Sequence, residues 1–79
     1  MNTIKLQHPF TLNGEEIVAL TLRRPKVRDR LIAEKSQGSE VEKEIRLIAN
    51  LCEVAPDCIE NLDMADYMAC QETLGSFFS

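Results

Sequence analysis

The chain has 79 residues, 44% of them hydrophobic and 28% charged, and carries a net charge of −4. That length supports one domain with a stability of about 4–12 kcal/mol, and the composition excludes wholesale disorder. An acidic balance argues against a general nucleic-acid binder, and no apolar run reaches the ~18–20 residues that a membrane span requires.

Two strands open the chain. Ile4-Lys5-Leu6-Gln7-His8 and Val18-Ala19-Leu20-Thr21-Leu22 alternate apolar and polar residues, the period of a half-buried strand. Asn13-Gly14 between them is a hairpin signal. A two-residue loop sets Leu6 against Thr21 and mixes the faces. A three-residue loop, Leu12-Asn13-Gly14, sets Leu6 against Leu20, Ile4 against Leu22 and His8 against Val18. It collects one apolar face, so the expected turn is type I with Gly14 left-handed in a bulge. Pro9 donates nothing to a ladder, so the first strand is expected to be an edge or to be interrupted there.

Pro25 is placed to open a helix, and Val27, Leu31 and Ile32 recur at helical spacing up to Lys35. Ser36-Gln37-Gly38 reads as a turn. Ser39-Glu40-Val41-Glu42 is a capping box, and the helix after it carries Val41, Ile45, Ile48, Leu51 and Cys52 on one stripe. Pro56-Asp57 breaks that helix, and a short turn through Ile59 and Leu62 leads to Asp63. Asp63 suits an N-cap, with Asp66 in the first turn of a last helix bearing Met64, Tyr67, Met68 and Leu74. Phe77 and Phe78 follow in its tail. The expected fold class is α+β: a hairpin over residues 3–24 packed on two to three α-helices (β-β-α-α-α). The helices are expected at 25–36, 39–54 and 63–76 of a single domain spanning residues 1–79.

Charge divides unevenly. Residues 1–35 hold seven basic and four acidic side chains, and residues 36–79 hold two basic and nine acidic. Such a division favours head-to-tail or heteromeric contacts between chains. No apolar stretch follows Met1, so no signal peptide is expected. Cys52, Cys58 and Cys70 are odd in number and widely spaced. That fits free thiols in a reducing cytosol better than a disulfide framework or a zinc site.

No constellation supports catalysis. Glu15 and Glu16 point to opposite faces of a strand, Asp63 and Asp66 suit a helix start, and His8 is expected to pack on the apolar strand face. No glycine-rich phosphate loop is present, and no cofactor or metal site is expected. The dense basic run Arg23-Arg24-Pro25-Lys26-Val27-Arg28-Asp29-Arg30 is the one segment suited to phosphates. One alternative reading is therefore a small regulator or antitoxin gripping nucleic acid through residues 23–30. A second is a structural subunit of a larger assembly. The Met and Phe residues near the C-terminus suit either core or an adaptable groove for a partner helix.

The ordered set Ile4-x-Leu6-x-x-Pro9, Leu12-Asn13-Gly14, Leu20-x-Leu22-Arg23-x-Pro25 and Asp29 resembles the small tail assembly chaperones of Mu-like and related contractile-tailed phages and prophages. Ile48-Ala49-x-Leu51-Cys52, Pro56 and Leu62-x-x-x-Asp66-Tyr67 resemble the second half of that family. The resemblance implies a non-enzymatic chaperone in the host cytoplasm. Its partner is the long helical tape measure protein, which it coats and keeps soluble until the tail tube assembles. It also implies a possible frameshifted longer form of the chain, with slippage in the Phe77-Phe78 codons, and homo-oligomers are possible. The resemblance supplies no binding residues, so helical periodicity alone puts the partner groove at Met64, Tyr67, Met68 and Leu74, with Ile45 and Ile48 nearby.

Overall fold

The computed structural model describes residues 2–78, in the order β1 (Asn2–Leu12), β2 (Glu15–Leu22), α1 (Val27–Lys35), α2 (Glu40–Cys52), α3 (Pro56–Glu60) and α4 (Met64–Ser76). The two strands pair antiparallel and the helices follow, an α+β arrangement with one short helix, α3, where a turn was expected. Pro56 sits in the first turn of α3, where its missing N–H costs nothing.

The hairpin resolves the conflict between turn chemistry and face matching in an unexpected way. Its loop has two residues, with Leu12 opposite Glu15, and Asn13 and Gly14 both left-handed at φ 52 and 79. Asn-Gly favours this primed turn because its twist matches the strands, so the three-residue loop with a type I turn is overturned. The face mismatch that argued against two residues is corrected further down the ladder. Phe10 pairs with Ile17, but Lys5 pairs with Ala19 and Ile4 with Leu20. Four residues of β1 (6–9) therefore stand against Val18 alone. The bulge falls on Pro9, the residue least able to serve a ladder. It brings Leu6, Leu20 and Leu22 to the core and leaves Val18 exposed. His8, expected on the apolar face, lies in the bulge and points to solvent.

The core combines these three leucines with Ile48, Ala49 and Leu51 of α2, Cys58 and Ile59 of α3, Tyr67, Cys70 and Leu74 of α4, and Phe77. The Arg23 amide donates to the Leu51 carbonyl at 3.1 Å and so ties the end of β2 to the end of α2. Ser39 and Glu42 form the expected capping box, each satisfying the other's backbone amide. Helix α2 ends with Glu53 left-handed at φ 58 and a bond from the Val54 amide back to the Ala49 carbonyl. This is a Schellman-type stop that needs no proline.

Candidate functional site

Several ionisable groups that look available in the sequence are occupied by the fold itself. Asp66 was expected merely to favour a helix start. It is buried, and its carboxylate accepts the amides of Gln7 at 2.8 Å and His8 at 3.0 Å. Those are the donors that the bulge removes from the ladder, so α4 supplies from a distance what β2 cannot. Asp63 caps α4 by accepting the Ala65 amide and lies 3.9 Å from the exposed His8 ring. The two acidic residues are held in separate structural tasks.

Arg23 makes a bidentate pair with Asp29, at 2.9 and 2.8 Å, and Asp29 also accepts the Lys26 amide at 2.8 Å as the N-terminal anchor of α1. The Arg23 bonds, then the Lys26 amide, hold the buried Asp29 carboxyl down at about 2, and the same pairing raises Arg23 above its ordinary value. Arg24 lies over the Phe77 ring, 6.0 Å from its centroid. Two of the arginines in the basic run are thus engaged within the chain.

The three thiols are free, with Cys58 and Cys70 buried and Cys52 half-buried. Burial pushes Cys52 up to about 12 and Cys70 up to about 11, and raises Cys58 as well, the reverse of what a nucleophile or metal ligand requires. Among the described residues, no group of three or more His, Cys, Asp and Glu side chains is arranged to hold a metal ion. Among them, too, no helix is long and apolar enough to cross a membrane.

The structure parts the six residues of the expected groove. Ile48, Tyr67 and Leu74 are buried, and the Tyr67 hydroxyl donates to Glu44, which also accepts from Gln71 at 2.8 Å. Ile45 is half-buried beside Arg46 and Pro56, in a different surface depression. Met64 and Met68 stand exposed on the outer side of α4, at 66% and 58%. A single helical period does not say which side of a helix meets the hairpin; the Asp66–bulge bonds decide it, by fixing the rotation of α4.

The apolar surface lies elsewhere as well. Among the described residues, Val27 at 88% and Phe78 at 73% are the most exposed large apolar side chains, joined by Leu31 and Ile32 of α1. Pro25, Val27, Leu47 and Phe78, with Lys26 and Arg30, line a cleft of about 390 Å³. It adjoins a second depression where Leu74 and Phe78 face Glu34, Glu40 and Glu44. The helical spacing of Val27, Leu31 and Ile32 gives α1 an apolar stripe, and the fold leaves that stripe exposed. Arg28 and Lys35 fall on the same face, which a core-facing helix would not tolerate.

The buried carboxylates and thiols thus serve the domain's own packing, and its exposed apolar side chains collect on helix surfaces. A family model described as "Phage tail assembly chaperone proteins, E, or 41 or 14" matches residues 3–79, so the chain belongs to the phage tail assembly chaperone family. No curated protein and no solved structure matches the chain.

Proposed function

We propose that this chain is a non-enzymatic chaperone of the host cytoplasm that binds the long helical tape measure protein and keeps it soluble during tail morphogenesis. The observation that carries this reading is the cleft of Pro25, Val27, Leu47 and Phe78, an apolar strip left open on a domain whose core is otherwise closed. A client helix laying an i, i+3, i+4, i+7 stripe along it buries Val27 and Phe78 and shields its own apolar face from other clients. Lys26, Arg30 and Lys43, together with Glu34, Glu40 and Glu44, form a polar rim of both signs that suits an amphipathic partner. Of the residues first placed in the groove, Leu74 borders this surface directly.

The test is co-expression with the long helical protein encoded downstream, followed by pull-down and light scattering. The client is expected to become soluble and to co-elute. Phe78→Asp, at an exposed position, is expected to abolish co-elution while the circular dichroism spectrum stays unchanged. A client that remains insoluble, or that binds the variant as well as the parent, removes the reading. The longer form belongs to the same proposal: a slippery heptamer in the codons for Phe77-Phe78 is expected in the gene, and an ordinary sequence there removes the frameshift.

A further inference from the structure

The Phe78 cleft and the depression beside it form one groove, since Arg30, Leu47 and Phe78 line both. One wall is α1. The other is α2, which runs antiparallel to it, with Leu47 across from the Val27 end of α1 and Glu40 across from its Glu34 end. The α2 wall is made of Glu40, Lys43, Glu44 and Leu47, spaced at i, i+3, i+4 and i+7 and therefore on one face of the helix. From Val27 to Glu34 the groove follows α1 for about 10 Å, two helical turns. Its floor is apolar along that length: Pro25 and Val27, then Leu47 and Phe78, then Ala33 and Leu74.

Charge is not spread evenly along the groove. Lys26 and Arg30 stand toward the Val27 end, and no carboxylate lines that part. Glu34, Glu40 and Glu44 stand at the other end, where the only cations are Lys43 and the shared Arg30. Among the described residues, no ion pair joins these cations to these carboxylates, so both sets remain for a bound chain. Glu44 is also held in place. Its Oε1 accepts from the buried Tyr67 hydroxyl and from Gln71, and Oε2 takes neither donor. A carboxylate fixed in this way has less side-chain entropy left to lose when a partner cation arrives.

We infer that the groove takes an amphipathic helix whose charges are segregated along its apolar stripe, and that this segregation sets the direction in which the helix lies. An Asp or Glu of the occupant sits over Lys26 and Arg30, and a Lys or Arg about two turns away sits over Glu34 and Glu44. The occupant so defined is the proposed client itself, and its definition rests on that reading. The apolar floor supplies most of the affinity. Rim pairs open to water are individually weak, and together they contribute about threefold. A reversed helix forfeits that attraction and meets like charges instead, which separates the two directions by about tenfold.

The experiment uses two designed peptides of about 18 residues, with the same leucine stripe at i, i+3, i+4 and i+7 and the same side-chain staple to hold them helical. Each carries a nitroxide at its N-terminus. One has Glu in its first turn and Lys in its last, and in the other the two are exchanged. Paramagnetic broadening of the amides of the isotope-labelled chain reads which end of the peptide lies where. The first peptide is expected to broaden Lys26 and Val27, and the second Glu34 and Glu40, each by about ten to one over the opposite end. In the double variant Arg30→Glu, Glu34→Lys, which keeps the net charge and alters two exposed positions, the first peptide is expected to lose its preference. An unchanged preference there overturns the charge-set direction. So does broadening at the same end by both peptides, or evenly at both ends, and in each of these cases the cleft remains a client site. Failure of both peptides to bind, or broadening away from the groove, overturns the direction and the client reading together.

Discussion

Asp66 and Asp29 are the residues on which local geometry depends most. Removing the buried Asp66 carboxylate leaves the amides of Gln7 and His8 without their acceptor. Asp66→Ala is expected to cost about 2–4 kcal/mol, read as a lower denaturant midpoint. Asp29 has a pH signature. Its folded pKa, about 2, lies below the ordinary 3.8, so its pairing with Arg23 stabilises the fold fully above pH 4. That contribution, up to about 2 kcal/mol, disappears as pH falls from about 4 through 2. An Asp29→Asn variant is expected to lack this part of the acid dependence in urea titrations across that window. The thiols make a third residue-scale case. With pKa values pushed up by burial, they are expected to resist iodoacetamide at pH 8 in the native state and to react promptly in urea.

At the scale of elements, chain reversals rest on backbone conformations that side chains strain or relieve. Glu53 ends α2 in the left-handed region without being glycine. Glu53→Gly is expected to raise stability by roughly 0.5–1 kcal/mol, since it removes the Cβ clash at the Schellman position. A lower melting temperature instead would assign Glu53 a stabilising contact. Gly14 is the converse, and with φ 79 its replacement by alanine is expected to cost about 1 kcal/mol despite open space around it. Helix α1 stands out among the elements. Nine residues are too few for an autonomous helix, and its buried residues are Asp29 and Ala33 alone. The Arg23–Asp29 pair and the packing on α2 hold it, and its remaining apolar side chains, Val27, Leu31 and Ile32, are exposed.

For the molecule as a whole, charge and apolar surface are distributed together. The basic N-terminal half carries the exposed apolar residues of α1, the acidic C-terminal half carries Met64 and Met68 of α4, and the Phe78 cleft lies where the chain's end returns to α1. Membership of the tail assembly chaperone family gives this distribution a setting in which several protein chains must meet in order. Raising salt from 50 to 500 mM is expected to leave client binding at the Phe78 cleft largely intact, because its centre is apolar while exposed charge pairs are screened within a few ångströms there. A several-fold loss of binding would show that the charged rim carries the contact.

The sequence by itself determined the α+β order, the Asn13-Gly14 reversal, the Ser39–Glu42 capping box, the Asp63 cap and the family. Each of these is local chemistry or an ordered motif, written in residues a few positions apart. Only the tertiary structure decided the rest. The strand register depended on a bulge whose amides are satisfied by Asp66, almost sixty residues away. The side of α4 that faces the core followed from that same bond, which buries Tyr67 and Leu74 and turns Met64 and Met68 outward. Period alone gives a helix its faces. Which face the protein hides is set by what arrives from elsewhere in the chain to cover it.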